Sequence, residues 1–271
     1  MELDRLQVAP LLVAGLGCAL MASACRPSGV PAANAASPTA TPPSGYQAPP
    51  DLVSVGLGSG GRIALSGVAT PGVAVRLATP TGAASFATAE SDGKWRMQIP
   101  STSEPRLFGL SMSDRGRVVQ AIGYLFIAPD GRTARLRAGG GSEAIEQPGN
   151  GPRALVVDYD TQRAATLSGK APPGVMLSLR VDGVERGQAT AGPDGRFVMP
   201  LNQPFSAGSH RFDLVGADKE VEAQAAIGAP VRLTNAPFFA TRSGAGWRVD
   251  WLTPGGGEQT TLILGAADRA L

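Results

Sequence analysis

Large apolar side chains recur at every second position along much of the chain. Val73, Val75 and Leu77 are separated by Ala74 and Arg76. A two-residue period is typical of a β-strand with one buried face. From residue 51 onward the pattern predicts seven short strands, over 52–55, 63–68, 73–77, 85–89, 95–99, 107–113 and 118–127. The sequence therefore predicts an all-β fold.

One block of this pattern occurs twice. Residues 65–97 and 167–199 align without gaps at an offset of 102, and 14 of the 33 positions are identical. The similarity continues upstream, where residues 52–56 align with 154–158. A repeat unit of about 100 residues indicates a duplicated domain rather than a short-period solenoid.

Two turn signals are shared by the repeats. Pro-Gly at 71–72 and 173–174 suits a type II turn, because proline presets the first φ and glycine tolerates a positive second φ. Asp-Gly at 92–93 and 194–195 predicts a tight hairpin turn in each repeat.

These motifs resemble the Ig-like repeats of bacterial envelope and surface proteins. The resemblance rests on LSGxAxPGxxxxL followed by AxAxxDGxW, with Phe197 at the position of Trp95 in the second copy. It implies two tandem Ig-like β-sandwiches and no shared catalytic residues. Each unit is expected to be held by packing alone, because Cys18 and Cys25 are the only cysteines.

Five segments follow from these patterns. They are a signal peptide (1–24), a lipidated cysteine with a disordered Pro/Ala-rich tether (25–50), Ig-like domain 1 with a trailing hairpin (51–147), Ig-like domain 2 (148–233), and a C-terminal β-hairpin packed on domain 2 (234–271). Gly139–Gly141 predicts a flexible joint between the domains.

The N-terminal segment predicts export. No charged residue occurs from Val8 to Ala24, which is the length of a signal-peptide apolar region and short for a membrane span. Residues 21–25 resemble the lipobox of bacterial lipoproteins, although Ala22 stands where that family prefers leucine. The resemblance implies acylation of Cys25, and Arg26 after it implies an outer-membrane lipoprotein of a Gram-negative cell. Ordinary secretion and an uncleaved anchor are the alternatives.

Residues 26–50 contain seven prolines and few large apolar side chains. Such a segment buries too little surface to offset its ordering entropy. It is expected to act as an extended tether that holds the folded domains away from the lipid.

The balance of charge excludes some partners. The chain has 24 Lys+Arg and 22 Asp+Glu, a net charge of +2, which does not favour nucleic acid or an acidic substrate. His210 is the only histidine and is expected at the surface. Glycines 56, 58 and 61 match G-x-G-x-x-G, and Ser91 with Lys94 matches S-x-x-K, but neither precedes or begins a predicted helix. No catalytic residue and no cofactor is predicted.

Two groups of residues are candidates for ligand binding. Trp247 and Trp251 share one face of a predicted strand and would suit stacking on a polysaccharide, or packing of the hairpin onto domain 2. Arg135 and Arg137, with Arg132, would form a basic strip for anionic glycan or lipid head groups, or protect an edge strand.

Acidic residues near the domain junction suggest one candidate metal site. Asp158 and Asp160, with Glu143 and Glu146 from the linker, would supply oxygen ligands for calcium if they converge; otherwise they are solvated loop charges.

The leading functional hypothesis is a non-catalytic envelope lipoprotein that acts as a spacer, a scaffold or a partner-binding module. It would face the periplasm or the cell surface, bound to the membrane through its lipid. The alternative is an adhesive module that binds peptidoglycan or surface polysaccharide through the tryptophan pair, and a hydrolase is the third hypothesis.

Overall fold

The alternating segments of the first repeat form seven strands in a computed structural model, which describes residues 46–145, 155–216, 219–265 and 267–270. The predicted signal peptide, Cys25 and the tether up to residue 45 lie outside the described residues. The strands are Asp51–Leu57 (β1), Arg62–Val68 (β2), Ala74–Ala78 (β3), Ala84–Thr88 (β4), Lys94–Pro100 (β5), Arg106–Asp114 (β6) and Arg117–Gln120 (β7).

These strands pair antiparallel in two facing sheets. One sheet has the order β1-β2-β5, and the other contains β4-β3-β6 with β7 on β6. In β5 the side chains of Trp95, Met97 and Ile99 point inward and alternate with exposed residues. They pack with Val75 and Leu77 of the opposite sheet. The first unit is therefore an Ig-like β-sandwich, as the sequence predicts.

The last predicted strand of this unit, 118–127, is two strands. β7 ends at Gln120, and the chain bends at Gly123, whose φ is +79°, before β8 (Tyr124–Ile127) begins. β8 pairs with the first half of β6, and β7 pairs with the second half. Two further strands, β9 (Thr133–Leu136) and β10 (Glu143–Ile145), pair in turn beside β8.

The second unit repeats the sandwich. Its strands are Leu155–Asp160 (β11), Ala165–Lys170 (β12), Met176–Val181 (β13), Val184–Thr190 (β14), Arg196–Pro200 (β15), Gly208–Gly216 (β16) and Lys219–Ile227 (β17). The sheets contain β11-β12-β15 and β14-β13-β16-β17, the same arrangement as in the first unit. The core again combines an aromatic ring, Phe197, with aliphatic side chains of both sheets.

The C-terminal segment is larger than the predicted hairpin. Its strands are Phe238–Ser243 (β18), Gly246–Leu252 (β19), Glu258–Leu264 (β20) and Ala267–Ala270 (β21). β20 pairs with β11, so that β18–β20 continue the three-stranded sheet of the second unit. β21 extends the other sheet beside β17. Among the described residues, no helix is long and apolar enough to cross a membrane.

The two turns that both repeats share are linked by backbone hydrogen bonds. Gly72 and Gly93 both have positive φ, and the Ala69 N–H donates to the Gly93 carbonyl at 2.8 Å. Ala171 and Gly195 repeat this bond at the same distance. The Asp-Gly turn is not a hairpin, however, because β4 and β5 lie in different sheets. Both turns carry the chain from one layer of the sandwich to the other.

The glycine of the shared Leu-Ser-Gly motif allows the central aromatic ring to approach the backbone. Gly67 pairs with Trp95 across β2 and β5, and a β-carbon on Gly67 would lie 2.5 Å from the indole ring. Gly169 pairs with Phe197 in the same way, with the ring 3.0 Å from that position. The glycine of this motif is thus required for a close contact and does not mark a flexible site.

Gly67→Ala is expected to lower the free energy of unfolding by about 2–3 kcal/mol, because the new methyl group would clash with the Asp51 carbonyl oxygen and with the Trp95 ring. Gly169→Ala should cost less, since its neighbours are farther away. Gly109→Ala is the control, because no atom lies within 4 Å of its added β-carbon. Urea unfolding of the three variants measures the differences, and equal effects of Gly67→Ala and Gly109→Ala would contradict this account.

Candidate functional site at the junction of the two sandwiches

A third apolar core lies between the trailing strands of the first unit and the C-terminal strands. The first unit contributes Leu107, Phe126, Ala128, Ala134 and Leu136. The C-terminal strands contribute Trp247, Val249, Trp251 and Ile263. Residues of both sandwiches therefore share one core, separate from the core inside each sandwich.

Aromatic contacts dominate this junction core. Tyr124 meets Trp251 edge to face, with ring centroids 5.9 Å apart and planes at 90°. Phe126 and Trp247 lie at the same centroid distance, tilted by 59°. Pairs in such arrangements contribute about 0.5–1.5 kcal/mol each beyond the burial of their area.

The strands at the junction are buried on both faces. In β8, Leu125 and Ile127 point into the core of the first sandwich, whereas Phe126 points into the junction core. In β20, Leu262 belongs to the second sandwich and Ile263 to the junction. Double burial explains why β8 and the end of β20, residues 262–264, are continuous apolar runs rather than alternating ones.

The tryptophan pair forms no stacking platform. Trp247 is 6% exposed and Trp251 is 0% exposed. The Trp251 indole N–H donates to the Thr261 hydroxyl at 3.0 Å, and that of Trp247 donates to Asp130 at 3.3 Å. The interpretation of these rings as a polysaccharide site is therefore corrected. Their faces pack on protein, but the partners are Tyr124 and Phe126 of the first unit and not domain 2, as the second interpretation expected.

The arginines do not form a basic strip. Arg135 is 4% exposed, donates to Glu143 at 3.1 Å and to the Leu52 carbonyl at 2.9 Å, and pairs with Asp51. Arg137 is half-buried, and its backbone N–H donates to the Ser142 hydroxyl oxygen at 2.9 Å. Arg135 thus ties β9 to β1 and β10, and its charge is not free for a ligand.

Arg132 is also engaged. It pairs with Asp130 at 3.7 Å and donates to the Ala245 carbonyl in the loop between β18 and β19. The same carboxylate of Asp130 accepts Arg242 at 2.9 Å. These pairs lie at the rim of the junction core, where partial exposure limits each to about 0–1 kcal/mol.

Asp158 is the polar centre of the junction. Its carboxylate is buried and accepts the Ser142 backbone N–H at 2.7 Å, the Thr261 hydroxyl at 2.6 Å and the Gln259 amide at 3.2 Å. Burial raises the pKa of this carboxyl group, and the hydrogen bonds from Thr261, Ser142 and Gln259 oppose that shift. The three donors come from two segments, the linker before β10 and the strand β20, and they join at one carboxylate.

The acidic residues do not converge on a cation site. Asp160 caps its own turn by accepting the N–H groups of Gln162 and Ala164. Glu143 faces Arg196 at 2.9 Å in addition to Arg135. Glu146 lies outside the described residues. Within the described part of the chain, no three acidic, histidine or cysteine side chains form a metal-binding group.

The Gly139–Gly141 segment packs closely rather than forming a loose joint. The Gly139 N–H donates to Gln259 at 2.9 Å. Gly140 has a φ of +107°, and a β-carbon there would lie 2.8 Å from the Thr166 hydroxyl oxygen. The glycines are needed for positive φ and close approach, which corrects the prediction of a flexible linker.

His210 is buried, not at the surface as predicted, and is 6% exposed. Its Nδ1 lies 2.6 Å from the Asp182 carboxylate, and its Nε2 lies 3.1 Å from the Ser206 carbonyl and 3.4 Å from the Ser206 hydroxyl. Two hydrogen bonds lower the pKa of the Asp182 carboxyl group. The larger effect comes from the backbone N–H of Arg211, and the smaller from the His210 ring. When Nε2 donates its hydrogen to the nearer Ser206 carbonyl, it cannot accept a proton from the Ser206 hydroxyl. The His210 contacts therefore hold the loop around Ser206 in place and do not activate a nucleophile.

The sequence analysis missed the polar centre of the junction. Gln259, Thr260 and Thr261 are all buried, and they precede an apolar run in β20. In the sequence, polar residues before an apolar run indicate an ordinary turn. Only the pairing of β20 with β11 brings Gln259 and Thr261 to Asp158.

Phe126→Ala is expected to lower the free energy of unfolding by about 3–5 kcal/mol, because it opens a cavity in the junction core. The exposed Phe86 provides a matched control, and Phe86→Ala should change stability by no more than about 0.5 kcal/mol. Thermal and urea unfolding measure both variants. Similar stabilities of the two variants would contradict the importance of this core.

The stability of the wild type relative to Asp158→Asn should depend on pH. The raised pKa means that the folded protein binds the Asp158 proton more tightly than the unfolded chain does. Its contribution to stability therefore falls as the pH rises from about 4 through the raised pKa, and is constant above it. Urea unfolding of both proteins across that range tests the sign; a difference that is independent of pH, or that grows with pH, would contradict it.

Comparison with known proteins leaves the family open. No family model matches the chain, and no curated protein matches it. Among solved structures, similarity is found to the BSP domain of a biofilm-associated protein, with 11% identity and a TM-score of 0.23 over 61% of this chain and 26% of that chain. A bacterial ice-binding adhesin of 1.5 MDa gives 10% identity and a TM-score of 0.20, over 81% of this chain and 88% of that one.

A central fibronectin-III array of RIM-binding protein gives 12% identity and a TM-score of 0.26, over 83% of this chain and 92% of that one. The chain spans about a quarter of the length of the biofilm-associated chain. Similarities at this level support no functional argument, and the description of the fold rests on the strand order and the cores given above.

Proposed function

We propose that this protein is a non-catalytic lipoprotein of the bacterial cell envelope, in which two tandem sandwiches act as a stiff spacer or scaffold. The observation that supports the proposal is the junction core. Trp251, with no exposed surface, is enclosed by residues of both sandwiches. An interface of this kind suits a protein that keeps a set distance or orientation rather than a flexible string of domains.

The polar contacts of the junction support the same function. The donors on Asp158 fix the register between the linker and β20, and Arg135 does so between β1 and β9. Buried polar groups of this kind favour one arrangement over others, because any shift leaves a buried charge without its partners.

Membrane attachment is part of the proposal. The lipobox-like residues 21–25 motivate acylation of Cys25, and two or three acyl chains at about 0.8 kcal/mol per buried methylene would hold the protein on a membrane. The protein is then an outer-membrane lipoprotein that faces the periplasm or the cell surface, with another envelope protein as its partner. The alternative of a glycan-binding module loses its main support, since Trp247 and Trp251 are buried.

Cys25→Ser is expected to abolish incorporation of labelled palmitate and to move the protein from the membrane fraction to the soluble fraction. Cys18→Ser is the matched control, because Cys18 lies inside the predicted signal peptide and should leave labelling unchanged. Metabolic labelling and cell fractionation measure both variants. A Cys25→Ser protein that still takes the label and stays in the membrane would refute the anchor.

A further inference from the structure

The first strands of the two sandwiches pair alike on one side and differ on the other. The offset of 102 relates β1 to β11, and the registers agree, since Ser54 pairs with Ser66 as Val156 pairs with Ser168. On its other side β11 pairs with β20 along its whole length. Among the described strands, β1 pairs with β2 alone. Within the described part of the chain, the first sandwich therefore has an open edge where the second has a strand.

Backbone hydrogen bonds show which groups of β1 face this edge. The Gly58 N–H donates to the Arg62 carbonyl at 2.8 Å. Hydrogen-bonded and non-hydrogen-bonded pairs alternate along an antiparallel ladder. Counting back from Gly58, the backbone N–H and C=O of Gly56 face β2, whereas those of Val55 and Leu57 face the open edge.

The equivalent groups of the second unit face β20. The Asp160 N–H donates to the Ala164 carbonyl at 3.4 Å, which repeats the bond from Gly58 to β2. The same alternation turns Val157 and Tyr159 toward β20, with which both residues pair. Positions 55 and 57 are thus the equivalents of two positions that an antiparallel strand occupies in the other copy of the repeat.

Side-chain exposure differs in the same way. Leu57 is 80% exposed, whereas Tyr159, at the same position of the repeat, is 1% exposed and pairs with Thr260 of β20. Every residue of β11 except the last is buried. A strand at the open edge of β1 would bury Leu57 as β20 helps to bury Tyr159.

The free part of β1 carries little protection against pairing. Charged residues and proline commonly prevent an edge strand from pairing with another chain. β1 contains no proline, and its only charged residue is Asp51, at its start. A β-bulge lies between Leu52 and Ser54, so that only the beginning of the strand is irregular.

We propose that β1 of a second copy of this chain occupies this edge, so that the two first sandwiches pair antiparallel about a two-fold axis at Gly56. In this register Val55 of each copy lies opposite Leu57 of the other. Each such pair exchanges two backbone hydrogen bonds, because both residues present N–H and C=O to the edge. The same edge is used by both copies, so the assembly closes as a dimer.

The second unit shows the sheet that such a pairing produces. Its six-stranded sheet, β15-β12-β11-β20-β19-β18, joins the three strands of the sandwich edge to edge with three more through β11 and β20. A second copy supplies a matching three-stranded half, β1-β2-β5. Its joining residues, 52–57, are uncharged, as are residues 259–264 of β20.

The ends of β1 leave room for the partner strand. Arg135 binds the Leu52 carbonyl, which lies before the overlapping residues 54–58. At the other end, the chain leaves the strand through a short 3₁₀ turn of small residues at Ser59–Gly61. A β-carbon on Gly56 would have no atom within 4 Å, so the protein itself leaves space at the axis.

Hydrogen exchange of the Val55 and Leu57 amides tests the occupant. Full-length protein with Cys18→Ser and Cys25→Ser is measured by NMR at millimolar and micromolar concentration, and sedimentation of the same samples gives the dimer fraction. Exchange of these two amides should slow several-fold as the dimer fraction rises, whereas that of Gly56, which faces β2, should not change. Fast exchange in every sample, or slow exchange in samples that sediment as monomers, would overturn the proposal.

Disulfide trapping tests the register. In the same background, Gly56→Cys places two cysteines across the axis as a non-hydrogen-bonded pair, with Cα atoms about 4.5 Å apart, which suits a disulfide. Mild oxidation should link the copies several-fold faster than in Val118→Cys, an exposed position on β7. Equal rates in the two proteins would overturn the proposed register.

Two changes at Leu57 separate backbone pairing from chance collision. Leu57→Pro removes the N–H that faces the edge, and Leu57→Lys places a charge there on a side chain that is already exposed. Each should reduce the crosslinking rate of Gly56→Cys to that of Val118→Cys, whereas Leu57→Val should retain fast crosslinking. Unchanged crosslinking in the lysine variant would overturn the proposal. None of these measurements involves the lipid, so their outcome is independent of the proposed membrane anchor.

Discussion

The apolar layer between β8 and β9 on one side and β19 and β20 on the other is the interaction on which the arrangement of this protein depends. Each sandwich has its own core and closes without the other. The junction core adds strands to the edges of both units and buries them from two directions. A pair of domains with separate cores becomes a pair that also shares a third core, in which Phe126 of β8 and Trp251 of β19 are fully buried.

The polar groups at the junction decide which arrangement of this layer is stable. Apolar packing alone tolerates sliding, because dispersion contacts have little direction. Asp158 and Arg135 are different, since each is buried among specific partners from several segments. Moving β20 by one residue would take Gln259 and Thr261 away from Asp158, and moving β1 would take Leu52 away from Arg135, at a cost of several kcal/mol. The buried charges therefore supply specificity, and the apolar layer supplies the free energy.

The duplication also shows how one sequence motif serves two contexts. Gly67 and Gly169 both admit an aromatic ring against the backbone, and the paired turns repeat bond for bond. Outside this shared frame the units differ. β11 pairs with β20 on its free side and accepts the Ser142 N–H through Asp158, whereas among the described strands β1 pairs with β2 alone. The two copies share their interior contacts, whereas the surface of each copy depends on the segments around it.

The sequence by itself determined the repeat, the places of its turns and most of its strands, but not the division of 118–127 into two strands or the layer change at the Asp-Gly turn. The alternation of Val73, Val75 and Leu77, the Pro-Gly and Asp-Gly pairs, and the offset of 102 are local patterns, and local patterns set strand period and turn geometry. The Ig-like sandwich follows from them. The places of Cys25 and Glu146 lie outside what the structure describes, and those predictions stand as they were made.

Only the tertiary structure decided what the side chains contact. Trp247 and Trp251 share a face in the sequence pattern, but that pattern does not say whether the face meets solvent or another sheet. Arg135, His210 and Asp158 read as surface charges because their partners are distant in sequence. The pairing of β20 with β11, across about 100 residues, created the junction. Burial is a property of the whole chain, and for that reason the sequence predicted the strands and the folded structure assigned their faces.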